Sequence, residues 1–264
     1  MIKLGLIGYG KAGKAVASVL AEDPEFELCW IARRSAAPTD TDIPVTCLDE
    51  QTFPAWLDSH PVDALVDFSN ADSVLIYGEA IRQRGIMLVS AISSYPESTQ
   101  AYLRDLGRDI RVMSSPNITL GINFLMLAAR ILRRIAPFAD VEILEQHFRE
   151  KPEVSGTARK IAETLEVDDE RITSLRLGGI VGHHEVIFGF PYQTVRLIHN
   201  SIKREAFGTG AAFALHALWR CNPGFYSFDD LLLGQIREEL LTDVAAEPRE
   251  FFPDSSSHVD RLPA

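Results

Sequence analysis

The chain has 264 residues and a formal net charge of −11 at pH 7. Such an acidic surface repels polyanions, which argues against nucleic acid as a partner. No stretch reaches the ~18 uninterrupted apolar residues of a membrane helix. The N-terminus lacks the pattern of a signal peptide, and the 3 cysteines show no zinc-binding spacing. We therefore expect a cytoplasmic protein that binds a small molecule and holds no metal.

The first half of the chain alternates apolar runs with helical patterns. Strands are predicted at 2–7, 26–31, 64–68 and 87–89, and helices near 12–22, 50–58, 72–84 and 97–107. Alternation of this kind is typical of an α/β fold, in which crossover helices cover a parallel Rossmann-type sheet.

A glycine-rich turn lies between the first predicted strand and the first helix. It reads Gly8-Tyr9-Gly10-Lys11-Ala12-Gly13. There the first glycine permits a tight turn, the second lets a pyrophosphate approach the backbone, and the third lets the helix pack on the strand. The helix N-terminus offers free N–H groups to the phosphates. The motif predicts a dinucleotide site. The alternative is a turn that merely connects two elements.

The end of the second predicted strand bears on the choice of cofactor. It reads Ala32-Arg33-Arg34-Ser35 and lacks the acid that NAD-preferring sites place there. Arginine suits the additional phosphate of NADP, so Arg33 and Arg34 favour NADPH over NADH. The alternative is that both arginines face solvent.

The second half of the chain has a different pattern. Strands are predicted at 141–147, 172–178, 183–189 and 192–198, and helices at 157–166 and 210–219. This indicates a smaller α+β domain with an open mixed or antiparallel sheet. The tail, 246–264, is rich in proline, serine and acidic residues, and we expect it to be flexible.

One segment, from Glu145 to Ala158, combines three features that a nicotinamide-dependent reductase needs. His147 ends a predicted strand, and an imidazole can exchange a proton near neutral pH. Lys151 follows in a loop that Pro152 keeps out of regular pairing. Ser155-Gly156-Thr157 then opens a helix whose backbone donors can hold a carboxylate. The alternative is a surface histidine, a solvated lysine and an ordinary helix cap.

Several motifs together resemble those of the dihydrodipicolinate reductase (4-hydroxy-tetrahydrodipicolinate reductase) family. The matching segments are 66–69, 115–123, 147–151 with 155–158, 174–178, 182–186, 198–204 and 207–211. The resemblance extends over residues 2–233. It implies NAD(P)H-dependent reduction of a cyclic imine that bears two carboxylates, in the biosynthesis of diaminopimelate and lysine.

The resemblance also implies roles for individual residues. His147 takes the acid or substrate-polarising role, Lys151 donates a proton, and Ser155, Gly156 and Thr157 bind the substrate. The residues expected to bind the cofactor are Gly8, Gly10, Lys11, Ala12, Gly13, Arg33, Arg34, Phe68, Ser90 and Asn117.

The resemblance further implies two domains and a homotetramer. We expect a discontinuous dinucleotide-binding domain of residues 1–118 and 205–245, and a domain of residues 119–204 for substrate binding and oligomerisation. We interpret His183 and His184 as structural or interface residues.

Three departures from the family pattern leave the substrate open. Phe148 replaces the second histidine of a pair, and the loop from Lys151 to Ser155 is one residue shorter. Ser90-Ala91-Ile92-Ser93 replaces a glycine-rich turn beside the nicotinamide. The alternatives are a paralogue that reduces another imino or keto acid, a homologue that binds nucleotide without turnover, and a different Rossmann dehydrogenase acting on amino acids.

Overall fold

The computed structural model describes residues 1–34 and 41–241. Seven strands form the first sheet: β1 (Ile2–Ile7), β2 (Phe26–Arg33), β3 (Val45–Cys47), β4 (Ala64–Asp67), β5 (Met87–Ser90), β6 (Arg111–Ser114) and β11 (Gly224–Tyr226). Their spatial order is β11-β6-β5-β4-β1-β2-β3, and all the pairings are parallel. The predicted parallel α/β sheet is therefore confirmed.

Helices cover both faces of this sheet. They are α1 (Lys11–Glu22), α2 (Phe53–Ser59), α3 (Ser73–Arg84), α4 (Glu97–Leu106), α7 (Ala206–Trp219) and α8 (Phe228–Leu241). Buried side chains of α1, α7 and α8 form one core with the sheet, and those of α2, α3 and α4 form another on the opposite face. Because both faces are covered, all four residues of β4 are buried, as expected for a parallel strand in the middle of a sheet.

The second sheet has four strands: β7 (Asp140–His147), β8 (Ile172–Arg176), β9 (Gly182–Phe190) and β10 (Gln193–Ser201). Their order is β10-β9-β7-β8, with β7 and β8 parallel and the other two pairings antiparallel. The sheet is thus mixed. One face packs on α5 (Leu120–Ile135) and α6 (Gly156–Leu165) through a third apolar core. A 3₁₀ turn, Asp169–Arg171, leads into β8.

After β10 the chain returns to the first sheet. Helix α7 packs against α1, and β11 pairs with β6. The division into residues 1–118 with 205–245 and residues 119–204 stays a prediction. The predicted flexible tail, 246–264, lies outside the described residues. No described helix is both long and apolar enough to span a membrane.

Several elements were absent from the sequence-based prediction. The largest is α5, of 16 residues, because its first turn follows a proline and contains Gly121 and Asn123, which are poor helix formers. The Asn123 side chain bonds to the carbonyls of Asn117 and Thr119 instead of competing with the helix. Strands β3 and β11 have three residues each, so pairing with neighbours fixes them more than any apolar pattern.

Candidate active site

The glycine-rich turn between β1 and α1 is closed to side chains at two positions and open at a third. Gly8 has a φ of +91°, which disfavours other residues. A Cβ on Gly13 would lie 2.2 Å from the carbonyl oxygen of Gly8, so α1 can start here only without a side chain. A Cβ on Gly10 would meet nothing within 4 Å. The open space is therefore over Gly10, at the N-terminus of α1.

A cleft of about 250 Å³ adjoins this turn. Its lining includes Gly8, Gly10, Arg33, Arg34, Ser69 and Asn70. The first turn of α1, which begins with Lys11 and Ala12, contains no acidic residue and has no side-chain cap at Gly10. Backbone donors and two arginines thus border one cleft, and this chemistry fits the phosphates of a dinucleotide.

Three other residues expected at the cofactor lie beside the carboxyl ends of β4, β5 and β6. The ring of Phe68 lies 6.2 Å from that of Phe207 on α7. Ser90 is fully buried, and its hydroxyl is 2.7 Å from the hydroxyl of Tyr95. The Asn117 side chain accepts hydrogen bonds from the backbone and hydroxyl of Thr119, at 3.0 and 2.7 Å, and so fixes the start of α5.

The turn that lacks the family's glycines directs most of its side chains into the protein. Ser90 bonds to Tyr95, and Ile92 is buried in the core formed with α2, α3 and α4. Ala91 packs against the opposite core, and Ser93 is exposed. The replacement of the glycines is therefore accommodated largely by burial.

The segment from Glu145 to Ala158 begins near the carboxyl end of β7, where cross-strand pairing gathers polar residues. Glu145 pairs with Ser174 on β8 and with His184 on β9, and His184 pairs in turn with His199 on β10. His147 pairs with Arg176 on β8. Side chains at paired positions share a face of the sheet, so these residues form two adjacent rows.

Glu145 is the centre of this cluster and is fully buried. Arg176 donates to both carboxylate oxygens, at 2.8 and 2.9 Å, and the Ser174 hydroxyl donates at 2.7 Å. Burial favours the neutral acid, but the hydrogen bonds from Arg176, Ser174 and His147 outweigh it and lower the pKa of Glu145 to about 2. The carboxylate is therefore charged at neutral pH.

His147 is oriented by that carboxylate. Its Nδ1 lies 2.5 Å from Oε2 of Glu145. On the other side of the ring, a Cβ on Gly182 would lie 3.2 Å from Nε2 and 3.4 Å from the Ser201 hydroxyl. The absence of a side chain at Gly182 thus leaves space beside Nε2. No residue in 1–34 or 41–241 forms a hydrogen bond to this nitrogen.

Lys151 follows a turn at the end of β7. Its backbone N–H donates to the carbonyl of Phe148, and its own carbonyl accepts from Nε of Arg176 at 3.0 Å. Within the described parts of the chain, its ammonium has neither a hydrogen bond nor an ion pair. The backbone is therefore held, while the ammonium has no partner among the described residues. Phe148, which replaces a family histidine, is 41% exposed.

The start of α6 completes the cluster. The Ser155 hydroxyl accepts from the Ala158 N–H at 3.4 Å, so Ser155 is the N-cap. The same hydroxyl is 2.8 Å from Nε2 of His184. Gly156 is exposed and Thr157 is half-buried. Burial, with a smaller contribution from His147, lowers the pKa of His184 to about 3, so this ring is neutral.

The cluster includes residues that the sequence reasoning missed as site residues: Glu145, Ser174, Arg176 and His184. Glu145 carries a local signal, because it lies two residues before His147 and a strand places such residues on one face. For Ser174 and Arg176 there is no local signal, since they lie 29 and 31 residues from Glu145. The earlier interpretation of His184 as structural accords with its bond to Ser155, although that bond lies inside the cluster.

Models of two family domains match nearly the whole described chain. Dihydrodipicolinate reductase, N-terminus, matches residues 2–118, and Dihydrodipicolinate reductase, C-terminus, matches residues 118–232. The chain belongs to the dihydrodipicolinate reductase family. The resemblance drawn from its motifs is therefore confirmed.

Similar proteins carry a consistent name. A 4-hydroxy-tetrahydrodipicolinate reductase of Caldanaerobacter subterraneus subsp. tengcongensis is 29% identical over 259 residues, which covers 88% of this chain and 98% of the relative. One from Thermosipho africanus is 29% identical over 233 residues, with the same coverage of 88% and 98%.

Solved structures support the fold. A dipicolinate-bound dihydrodipicolinate reductase from Paenisporosarcina sp. TG-14 aligns with a TM-score of 0.75 and 21% identity, covering 86% of this chain and 97% of that one. A diaminopimelate dehydrogenase of C. glutamicum aligns with a TM-score of 0.52 and 13% identity, covering 90% and 98%. Because related folds carry different activities, the fold alone does not choose the substrate.

Proposed function

We propose that this family member catalyses the NAD(P)H-dependent reduction of 4-hydroxy-tetrahydrodipicolinate, a cyclic imine with two carboxylates, in the biosynthesis of diaminopimelate and lysine. The observation that carries the proposal is the cluster at the end of β7. One buried carboxylate, Glu145, contacts His147, the backbone of Ser155 and the guanidinium of Arg176, which in turn holds the carbonyl of Lys151. The proton-handling residues and the carboxylate site of the proposal thus belong to one connected unit.

In this proposal the cofactor lies along the carboxyl edge of the first sheet. Gly8, Gly10, Lys11, Ala12 and Gly13 hold the pyrophosphate at the start of α1. Phe68, Ser90 and Asn117 shape the nicotinamide end. The 4-hydroxyl group of the substrate would leave as water to give a conjugated imine, to which the reduced nicotinamide, when bound, would supply a hydride. Every other requirement falls to the side chains and backbone donors of this chain.

The second sheet would position the substrate and supply the proton. The start of α6 offers the backbone donors of Gly156 and Thr157, next to the Ser155 cap, to one substrate carboxylate. Lys151 would donate the proton that completes the addition of hydride, and its charge would stabilise the anionic substrate. His147 would face the substrate with Nε2 from the space beside Gly182, and when protonated at Nε2 it would polarise the substrate.

The test is the oxidation of NADPH in the presence of freshly generated 4-hydroxy-tetrahydrodipicolinate. We expect turnover by the wild type and a loss of kcat of roughly 10²–10⁴-fold in Lys151→Ala, the range for a general acid. Lys160→Ala is the matched control, because Lys160 is an exposed lysine on α6 that pairs with Glu163 at 2.9 Å. It should turn over at the wild-type rate.

Three other outcomes would contradict the proposed function, and each would indicate a different one. Turnover on a different cyclic imine or keto acid, with none on this substrate, would indicate a paralogue. Tight NADPH binding without turnover on any imine of a panel would indicate a non-catalytic homologue. Oxidation of amino acids with NADP⁺ would indicate a dehydrogenase.

We also propose that NADPH is preferred over NADH, because Arg33 and Arg34 line the cleft at the end of β2. The measurement is the ratio of kcat/KM for the two cofactors. A lost contact between arginine and phosphate is worth about 1.5–3 kcal/mol, which is roughly tenfold or more. Arg34→Ala should lower the ratio by that factor while leaving kcat/KM with NADH nearly unchanged. A ratio near one in the wild type would reject the preference.

The proposed assembly is a homotetramer joined through the second sheet. The helices that pack on this sheet in the described chain, α5 and α6, lie on one face. The other face presents Leu144, Ile187 and Ile198, and Ile198 is 54% exposed. We expect a tetramer by light scattering, and a smaller species for Ile198→Lys. Ile131→Lys, on an exposed position of α5, is the control. A monomeric wild type would reject the proposal.

A cytoplasmic location belongs to the same proposal. Cys29, Cys47 and Cys221 are all free thiols, a state that suits a reducing compartment.

A further inference from the structure

The ion pair between Glu145 and Arg176 contacts more of the candidate site than any single reactive group does. Each oxygen of Glu145 receives a bond from Arg176, at 2.8 and 2.9 Å. One oxygen also accepts from the Ser155 N–H at 3.2 Å, and the other faces Nδ1 of His147 at 2.5 Å. The carboxylate therefore joins the histidine to the start of α6.

The charge on Glu145 dictates which nitrogen of His147 carries the proton in the neutral ring. An ionised carboxylate is only an acceptor, so Nδ1 must be the donor. In the neutral ring Nε2 then carries no proton, and it borders the space beside Gly182. A neutral side chain in place of Glu145 would not impose this tautomer.

Arg176 also fixes the backbone of the loop that contains Lys151 and Glu153. Besides Glu145, its guanidinium donates from Nε to the Lys151 carbonyl at 3.0 Å and from Nη2 to the Glu153 carbonyl at 2.7 Å. Its planar fork holds these donors in fixed directions, which a lysine could not do. One guanidinium thus sets both the charge partner of His147 and the backbone from which Lys151 extends.

A purely stabilising role explains this arrangement poorly. Burying an ion pair carries a desolvation cost that often cancels its attraction, and well-packed apolar residues would stabilise as well. We propose that Glu145 and Arg176 are positioning residues: Glu145 fixes the tautomer and direction of His147, and Arg176 fixes the loop that presents Lys151. Their kinetic effect rests on the proposed reductase function, whereas the tautomer of His147 does not.

The direct test is the ¹⁵N NMR spectrum of the histidine side chains in the full-length protein. The His147 signals are assigned as those missing from His147→Asn. In wild-type protein the neutral ring should carry its proton on Nδ1. In Glu145→Gln the amide can donate to Nδ1, so the proton should move to Nε2. A wild-type ring protonated on Nε2 would overturn the proposal without any variant.

Kinetics then separate the two positioning roles. Glu145→Gln should lower kcat at least about 10- to 100-fold, the range for removing the hydrogen-bond partner of a metal-bound histidine. KM should change little, and the pH profile of kcat should shift. Arg176→Lys keeps a positive charge beside Glu145 but loses the bonds to the loop. It should lower kcat because Lys151 is displaced, raise KM because the charge of Lys151 also holds the anionic substrate, and keep the Nδ1–H tautomer.

The control is Asp105→Asn, which removes another carboxylate bonded to an arginine, Arg82, but in the helix layer of the first sheet. It should leave the tautomer, kcat and KM unchanged. Folded Glu145→Gln with the wild-type tautomer and kcat would overturn the proposal. If wild-type protein shows the Nδ1–H tautomer but reduces no imine, the proposed reductase function is wrong. The proposal that Glu145 fixes the tautomer of His147 then still stands.

Discussion

Each of the two sheets contains a fully buried carboxylate, and the two carboxylates have opposite shifts in pKa. Asp67 ends β4, and its donors are the Ser69 backbone and the hydroxyls of Ser69 and Tyr77. Burial raises the pKa of Asp67 to about 6 in spite of them. Burial acts on Glu145 in the same direction, but its partners, Arg176 foremost, reduce the pKa to about 2. Neutral donors do not compensate for burial here, whereas a bidentate arginine does.

The opposite pKa shifts of Asp67 and Glu145 match the proposed roles of the two regions in which they lie. The cleft beside the glycine-rich turn is lined by Gly8, Gly10, Arg33, Arg34 and Ser69 among others, and Asp67 accepts bonds from the backbone and hydroxyl of Ser69. The cluster on β7 needs a charge of fixed sign next to His147. That charge is the carboxylate of Glu145, and Arg176 keeps it ionised because the guanidinium does not lose its own proton.

The largest effect is expected when Glu145 is left without its arginine. Arg176→Met should reduce the free energy of unfolding at pH 7 by about 3–5 kcal/mol, the range for removing one partner of a buried pair. The loss should shrink as the pH falls toward 4–5, because burial would then raise the pKa of the orphaned Glu145 and a proton can neutralise it. Urea denaturation at several pH values measures both.

The control for this variant is Arg82→Met. Arg82 also pairs with carboxylates, but its partner Asp105 is 43% exposed. Exposed pairs contribute about 0–1 kcal/mol. Equal losses for the two variants would contradict the contrast between buried and exposed pairs.

The second expected effect is on the pH dependence of stability at Asp67. Its pKa is raised from an ordinary value of 3.8 to about 6. The folded state therefore binds the proton more tightly than the unfolded state, and the stability from protonated Asp67 is full below pH 4 and lost as the pH rises through 6. A pKa difference of about 2 corresponds to about 3 kcal/mol. Asp67→Asn should remove that decline, so it should gain stability relative to wild type between pH 4 and 7.5.

Glu145→Gln should change the stability in the opposite direction from Asp67→Asn. The pKa of Glu145 is lowered from 4.5 to about 2, so its stabilisation is present above pH 4.5 and lost as the pH falls through 2. This variant should be less stable than wild type at neutral pH. If Asp67→Asn and Glu145→Gln change stability in the same direction at pH 7.5, the comparison between the two carboxylates is wrong.

The sequence supports the prediction of the first sheet better than that of the candidate site. Alternating apolar runs and the glycine turn are local signals, so β1, β2, β4 and β5 were predicted near their observed bounds. The short strands β3 and β11 depend on pairing with β2 and β6. A run of three residues is too short to predict that pairing. Helix α5 was missed because its first turn contains Gly121 and Asn123, which are poor helix formers.

For the candidate site, the sequence placed His147, Lys151 and Ser155 in one segment but left out their supports. Arg176 reaches Glu145 across 31 residues, and only the parallel pairing of β7 with β8 brings them together. His184 meets Ser155 across 29 residues through the pairing of β7 with β9. The predicted reactive groups lie close together in the sequence, whereas strand pairing brings in the residues that contact them.

The smallest expected effect tests whether the hydroxyls around Asp67 hold a charge or a neutral acid. Tyr77→Phe removes the donor to Oδ2. A hydrogen bond to a charged group contributes about 1.5–3 kcal/mol and a neutral one about 1 kcal/mol. The loss of unfolding free energy should therefore be larger at pH 7.5 than at pH 4, where Asp67 is protonated. Tyr95→Phe is the matched variant, because this buried tyrosine bonds to the neutral hydroxyl of Ser90. Its loss should not vary with pH, and a matching pH dependence in both variants would show that Asp67 is not the group being titrated.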